Sequence, residues 1–285
     1  MDNSISSCFE NLVLKLSSIY DKREATNISR IIFEDIFSIS NPNSIHNVFN
    51  LTDQKLLDKT TNELLQYKPW QYVVGKADFY GFKFNVDNNV LIPRPETEEL
   101  VDLIIKKHKG EAPSILDIGT GSGCIAICLQ YYLKNAIVTG VDICSNALNV
   151  ARENAKKHSV STRFKLFDIL DTESTKKMPI YDIIVSNPPY IKNDERQLLA
   201  KHVLEHEPQL ALFVSDNDPL QFYKSIVEFA TKHLNHNNGC LYLETSALYG
   251  LEVLKLIKDK GFHNCALHKD LYGNNRIVLG SINKY

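Results

Sequence analysis

Asn187-Pro188-Pro189-Tyr190 follows the apolar run Tyr181–Ser186, and its residue types suit one kind of chemistry. Two consecutive prolines lack N–H groups and fix φ. They project the Pro188 carbonyl and the Asn187 side chain as preorganised acceptors. An amino group on a planar system carries two hydrogens and a delocalised lone pair. Two acceptors in this arrangement grip both hydrogens and turn the nitrogen toward an electrophile. Tyr190 can stack on the planar amide or base.

A second constellation precedes it. Asp117-Ile118-Gly119-Thr120-Gly121-Ser122-Gly123-Cys124 closes another apolar run, and a glycine-rich turn there lets a ligand approach the backbone. The dinucleotide fingerprint G-x-G-x-x-G is not met, because Cys124 stands at its third glycine. The pattern D-x-G-x-G-x-G instead resembles motif I of the class I S-adenosylmethionine (SAM) methyltransferases. The resemblance implies that Asp117 and the loop Gly119, Thr120, Gly121, Ser122 and Gly123 serve the methionine part of that ligand. Asp142 ends the next apolar run, 19 residues after Gly123, where a carboxylate can accept from both ribose hydroxyls. In the resemblance, Asp168 touches the adenine amino group and Asn187 adjoins the cofactor. Ile169 stands where such enzymes often carry an aromatic residue, so an aliphatic face would pack the adenine.

These residues need a scaffold that brings strand ends together. From residue 96 the chain alternates. Strands are expected over Ser114–Ile118, Ala136–Val141, Phe164–Phe167, Tyr181–Ser186, Cys240–Glu244, Phe262–His268 and Arg276–Ser281, with helices at Thr97–Lys107, Ser122–Leu133, Ser145–His158, Leu220–Leu234 and Leu248–Lys260. Such alternation implies a mostly parallel sheet covered on both faces. The last two strands are joined too closely for a helical crossover, so the final one is expected antiparallel. The fold class is therefore α/β, Rossmann-like. Residues 1–68 read as short helices: Phe9, Leu12, Val13, Leu16 and Tyr20 share one face, Asp21 and Glu24 have capping-box spacing, and Thr52 can cap a third helix. Residues 69–95 read as a helix-poor linker with a β-hairpin, Phe79–Phe84 and Val90–Ile92 around Asp87-Asn88-Asn89, ended by Pro93-Arg94-Pro95. The expected organisation is a helical substrate-recognition domain over 1–68, the linker over 69–95, and a SAM-binding catalytic domain over 96–285.

Composition excludes several classes. The chain of 285 residues is 44% apolar and 23% charged, enough to build a core and too ordered in character for a disordered tail or a disulfide scaffold. Its longest apolar run, Cys124–Leu129, is far short of the about 20 residues of a membrane span. Asp2 and Glu10 argue against a signal peptide. Residues 1–75 hold 7 basic and 9 acidic side chains, leaving 25 and 25 for the rest, without the basic excess of a dedicated nucleic-acid binder. The six cysteines form no C-x-x-C pair and read as buried small hydrophobes in a reducing cytoplasm, and no metal site is expected. His202 and His206 read as a solvated helix face.

An Asn-Pro-Pro-Tyr motif marks amino-methyltransferases whose substrates are adenine or cytosine in DNA, guanine in RNA, or glutamine in protein, and the motif alone does not choose. The surrounding segments do. Gln71-Tyr72-Val73-Val74-Gly75, Phe79-Tyr80-Gly81, Pro93-Arg94-Pro95-Glu96-Thr97-Glu98, Glu207-Pro208 with Ala211-Leu212, and Asp270-Leu271-Tyr272-Gly273-Asn274-Asn275-Arg276 together resemble the peptide chain release factor glutamine methyltransferases. The resemblance covers residues 65–281 and reaches 1–64 only as a helical domain of suitable size. It implies a small helical bundle, a hairpin linker and a seven-stranded SAM-binding domain. The substrate would be the glutamine of the release-factor Gly-Gly-Gln loop, methylated on its side-chain nitrogen. Asn187, Pro188 and Tyr190 would carry the catalysis, with Pro189 completing the substrate cradle. No dedicated general base is required, because proton loss can follow methyl transfer. Pro93-Arg94-Pro95 is either a stiff linker or a lid that places Arg94 or Glu96 near SAM or the substrate loop. Expected partners are release factors, with no membrane and no stable nucleic-acid binding. A DNA or RNA amino-methyltransferase would share the catalytic residues but should add a basic stripe or a target-recognition segment. A non-catalytic SAM-binding scaffold should have lost Asn187 or Tyr190.

Overall fold

The computed structural model describes residues 4–44 and 47–283; Asp2 lies outside the described residues. The chain divides into two compact units, residues 1–76 with 200–206, and residues 77–199 with 207–285.

In the first unit, α1 (Ile5–Leu16), α2 (Lys22–Phe37) and α3 (Leu51–Leu65) are amphipathic, and α4 (Trp70–Val74) is a single short helix. Phe9, Leu12, Leu16, Ile28, Ile32, Phe33 and Leu64 form its core, with Phe9 set edge-on to Phe33. Asp21 caps α2 by accepting from the amides of Arg23 and Glu24. The cap of α3 is Asn50, which accepts from the Asp53 amide, and not Thr52. Asn and Thr both suit that position; Asn50 takes it because it alone precedes the helical turn with extended backbone. The segment expected to be helix-poor holds α4, which ends at Gly75 with φ 75°.

The hairpin also differs from expectation. Its strands are β1 (Lys76–Phe79) and β2 (Phe82–Asn85), and its turn is Tyr80-Gly81, not Asp87-Asn88-Asn89. Both turn residues have positive φ, 48° and 81°, the signature of the two-residue turn that matches strand twist. Tyr80 tolerates that strain because the following helix holds it: the Glu98 carboxylate accepts from its amide at 2.8 Å and Asp102 accepts from its hydroxyl at 3.0 Å. Asp87-Asn88-Asn89 is a turn that leads into residues 90–94 without a strand.

The second unit is built on a seven-stranded sheet. After α5 (Pro95–Lys107), which Pro95 opens at its first position, come β3 (Ser114–Ile118), α6 (Cys124–Tyr132), β4 (Ile137–Asp142), α7 (Ser145–Lys157), β5 (Arg163–Leu166), the short α8 (Thr172–Thr175) and β6 (Ile183–Ser186). A minor pair, β7 (Ile191–Lys192) and β8 (Phe213–Val214), brackets in sequence α9 (Lys201–His206), which belongs to the first unit, and α10 (Gln209–Leu212). Then follow α11 (Gln221–His233), β9 (Cys240–Glu244), α12 (Gly250–Asp259), β10 (His263–Lys269) and β11 (Asn275–Ser281). The strand order is β10-β11-β9-β6-β3-β4-β5, and β11 runs antiparallel to both neighbours. Successive strand residues face opposite ways. Ile115, Ile183, Val185 and Tyr242 therefore pack under α5 and α6, while Leu116, Ile184, Leu241 and Leu243 pack under α11 and α12. Among the described residues, no helix is long and apolar enough to cross a membrane.

Candidate active site

The chain leaves β3 toward β4 on one side of the sheet and toward β6 on the other, so strand order reverses between β3 and β6. Ligands of open α/β sheets bind beyond the strand ends at such a reversal. Ile118 and Ser186 are register partners there, and the Ser186 hydroxyl donates to the Ile118 carbonyl at 2.7 Å. The glycine loop and Asn187-Pro188-Pro189-Tyr190 thus start side by side.

The three loop glycines have φ of 74°, 54° and 81°, a region costly for any other residue. Their surroundings separate them. A Cβ at Gly119 or Gly121 would meet nothing within 4 Å, whereas one at Gly123 would lie 3.0 Å from the Ile127 side chain and 3.1 Å from that of Ala151. The first two leave room for a ligand against the backbone; the third lets α6 and α7 close on the loop. Amides of Gly119 and Thr120 donate to the Val141 carbonyl, each at 2.9 Å. The Gly121 and Cys144 amides donate to the two oxygens of Asp142, both at 2.9 Å. The Asp142 carboxylate is thereby fixed at the end of β4. Burial raises its pKa, and the amides of Cys144, Gly121 and Ile143 oppose that rise.

Asp117 sits under the loop, fully buried. The Thr120 hydroxyl donates to one of its oxygens at 2.6 Å, while the other oxygen has no hydrogen-bond partner. Burial, with Asp142 adding to it, pushes the carboxyl up to about 7. The Ser122 hydroxyl oxygen is likewise buried and unpartnered.

A cleft of about 280 Å³ opens over these strand ends. Gly119, Gly121, Asp142, Asp168, Ile169, Asn187, Pro188 and Pro189 line it; Asp117, Thr120, Ser122, Gly123 and Tyr190 do not. Asp168 accepts from the Leu170 amide at 2.8 Å, which shapes the turn after β5. Much of the remaining wall was not assigned to the site from sequence: Asn89, Val90 and Leu91 from the segment after the hairpin, Ile143 and Cys144 after Asp142, Phe167 and Leu170 around Asp168, and Pro208, Leu210 and Ala211 from α10 and its approach. Ile143 and Leu170 were within reach, since each flanks an acid at a strand end. Val90, Leu91 and Phe167 read as strand residues and Pro208 and Ala211 as markers of the resemblance, with nothing local to turn them toward a cleft. A planar ligand would find apolar faces on both sides and acids at Asp142 and Asp168.

Around Asn187 the polar contacts continue into the core. Its side-chain NH₂ donates to the Thr97 hydroxyl at 3.2 Å, and that hydroxyl donates to the Glu244 carboxylate at 2.7 Å. Thr97 and Glu244 are buried. Tyr190, packed against α11 and α12 residues, has its hydroxyl pKa pushed up to about 12 by burial and the Glu244 charge. The Arg94 guanidinium donates to Glu207 at 2.7 Å, and Arg276 donates twice to Asp270, both at 3.1 Å. His202 and His206 are both half-exposed, and His206 Nε2 also lies 3.0 Å from the Gln66 carbonyl within the helical unit. Among the described residues, no group of three or more His, Cys, Asp or Glu side chains is placed to hold a metal.

Residues 96–212 match the family model "Methyltransferase small domain", a span that holds the glycine loop and Asn187 but not Asn89–Leu91. Among solved structures, a methyltransferase from Pyrococcus furiosus matches with a TM-score of 0.52 at 16% identity, covering 81% of this chain and 98% of that one, which shows the shared fold. Two curated relatives match over nearly their full lengths. The release factor glutamine methyltransferase of Flavobacterium psychrophilum is 44% identical over 93% of this chain and 95% of its own. That of Bacteroides thetaiotaomicron is 38% identical over 93% and 96%. With 38% and 44% identity each sustained over 93% of its length, the chain belongs to the release factor glutamine methyltransferase family.

Proposed function

We propose that this chain transfers a methyl group to the side-chain amide nitrogen of the glutamine in the Gly-Gly-Gln loop of peptide chain release factors. The observation that carries the reading is the place of Asn187-Pro188. The pair stands at the switch point of the sheet, on the wall of the cleft that Asp142 and the open glycines share. When bound, S-adenosyl-L-methionine supplies an electrophilic methyl group to this site. The residues present fit it: Gly119 and Gly121 leave space for close approach, and Asp142 is fixed by two amides with acceptor capacity to spare. Asp142 would take the ribose hydroxyls and Asp168 the adenine amino group. Ile143, Ile169 and Leu170 would pack the base, and Asp117 with the loop amides would serve the methionine part.

The chain's own residues then act on the target. Asn187 Oδ1 and the Pro188 carbonyl accept the two hydrogens of the glutamine amide and hold its nitrogen outward. As bonding proceeds that nitrogen gains positive charge, and the two fixed acceptors stabilise it more than they stabilise the resting amide. The helical region over 1–68 would recognise the release factor. With balanced charge, the chain is suited to a protein partner in the cytoplasm rather than to a phosphate backbone.

Mass spectrometry of a release factor incubated with the protein and SAM tests the reading. One added methyl on the Gly-Gly-Gln glutamine is expected, lost when that glutamine is changed. Methylated adenine in DNA offered alongside, with the release factor untouched, would assign the chain to the nucleic-acid enzymes instead.

A further inference from the structure

We infer that Thr97 and Glu244 form a positioning relay that fixes which end of the Asn187 amide faces the incoming glutamine. The inference rests on the reading that Asn187 receives the target amide. A side-chain amide has two ends of similar shape and opposite polarity: the oxygen accepts and the NH₂ donates. Only the oxygen can hold a hydrogen of the glutamine NH₂. Something must therefore keep the Asn187 NH₂ turned inward.

The relay does this by counting hydrogens. A threonine hydroxyl has one hydrogen, and an ionised carboxylate only accepts. The Thr97 hydrogen goes to Glu244 Oε2 at 2.7 Å. Its oxygen is then able only to accept, and it accepts from Asn187 Nδ2 at 3.2 Å. Asn187 Oδ1 is left facing away from Thr97. Glu244 is held in turn, because the Tyr223 hydroxyl donates to its backbone carbonyl at 3.1 Å at the end of β9. Thr97 and Glu244 are 3% and 1% exposed, so water does not compete for the bond between them.

Protonating Glu244 reverses the order. A neutral carboxyl can donate to Thr97, the Thr97 hydrogen is freed to point at Asn187, and the amide turns its oxygen inward. The glutamine NH₂ then meets another NH₂. Besides the Thr97 hydroxyl, the charged and titratable groups that act on Glu244 are Glu96 on α5, Arg94 before it, Arg276 on β11 (itself paired with Asp270), Tyr190 after β6, Tyr223 on α11 and Cys124 on α6. Burial dominates and lifts the Glu244 carboxyl to about 7; the Thr97 hydrogen bond, Arg276 and Arg94 pull it down, and Glu96 pushes it up. The switch therefore falls near pH 7, with the ionised form the active one.

The full-length protein and an intact release factor test this. Measured at saturating SAM, because Asp117 titrates in the same range, the kcat of the wild type should fall as pH drops below about 7, with KM for the factor little changed. Thr97→Val, of the same shape, should lower kcat at pH 8 on the order of tenfold, as expected for one lost hydrogen bond to a charged group, and should lose the acid limb. Thr97→Ser should restore both. Glu244→Gln should lose the limb. Two readouts need no methylation. Infrared spectra should show protonated-carboxyl intensity that titrates near 7 from two groups, Asp117 and Glu244; Glu244→Gln should remove one component and Asp117→Asn the other. The ¹⁵N signal of the Asn187 NH₂ should shift with the same midpoint in the wild type and stay fixed in Thr97→Val. A Thr97→Val protein with wild-type kcat and acid limb, or an Asn187 signal blind to the Glu244 titration, would overturn the relay. A release factor left unmethylated by a wild type with both spectroscopic titrations would overturn the substrate reading alone.

Discussion

Glu207 and Arg94, 113 positions apart in sequence, meet at 2.7 Å with the carboxylate side chain wholly buried and the guanidinium one-third exposed. The same carboxylate accepts from the Ile92 amide at 3.4 Å. It thus joins the segment before α5 to the approach to α10, and both segments line the cleft. Removing one partner of such a pair strands a buried charge. Arg94→Ala should destabilise the protein by about 3 kcal/mol, the lower end of the range because the guanidinium is partly solvated. Arg94→Met with Glu207→Leu should cost less than Arg94→Ala alone. Denaturant melts of the single and double variants measure this, and equal costs would mean that the pair is not coupled.

Asp142 is expected to control cofactor affinity. Its oxygens are oriented by the Gly121 and Cys144 amides, so the loss on Asp142→Ala has two parts: ligand hydrogen bonds disappear and the loop loses its anchor. Charge-assisted bonds of this kind contribute roughly 1.5–3 kcal/mol each. SAM should bind at least about tenfold more weakly. Asp142→Asn keeps one acceptor and should fall between the two. Calorimetry giving unchanged affinity for Asp142→Ala would remove this residue from the cofactor site.

Asp117 links the loop to stability. Its carboxyl titrates near 3.8 in the unfolded chain and near 7 in the fold. Between those values the folded state binds the extra proton, so stability falls as pH rises through the window and levels off above about 7. Glu244, raised from 4.5 to about 7, adds a contribution of the same sign. Asp117→Asn cannot ionise. Relative to wild type it should gain on the order of 3 kcal/mol between pH 4 and pH 8 in the absence of SAM. Thermal melts across that range check the sign. A difference that stays flat with pH would show that Asp117 titrates normally.

The glycine loop, Asp142 and Asn187 were legible because each is tied to the end of an apolar strand, and parallel topology carries strand ends to one edge. The strands over Ser114–Ile118 and Cys240–Glu244 match residue for residue, since proline or glycine punctuates them: Pro113 and Gly119 flank the first and Gly239 precedes the second. The hairpin was misread because Asp87-Asn88-Asn89 has the stronger turn composition, while Tyr80-Gly81 depends on Glu98 and Asp102 from the next helix to hold a tyrosine at positive φ. Thr97–Glu244 and Arg94–Glu207 lie 147 and 113 positions apart. No local rule reaches that far. The apolar wall at Phe167 and Leu210 is invisible for a related reason: such residues read as core until a cleft is known to pass them.

The helical unit should act on substrate affinity and leave the chemistry alone. Its core closes on itself through Phe9, Leu12, Ile32 and Phe33. Deleting it is a poor test. Residues 200–206 belong to the same unit, with the Lys201 ammonium 4.3 Å from the centre of the Tyr67 ring, so truncation would strip them of their support. Point changes on its surface are cleaner. Leu14 and Leu51 are 74% and 68% exposed, so charging them removes no core contact. On a surface without basic excess, exposed leucines suit an apolar patch of a protein partner. Leu14→Asp with Leu51→Asp should raise KM for intact release factor severalfold to about tenfold, the loss of roughly 1 kcal/mol of contact. Turnover at saturation and SAM affinity should stay within about twofold, and the thermal midpoint should not move. Steady-state kinetics on the full-length factor reads this directly. If KM is unchanged while a peptide of the Gly-Gly-Gln loop and the whole factor are methylated equally well, recognition lies wholly in the catalytic unit and the helices serve another purpose.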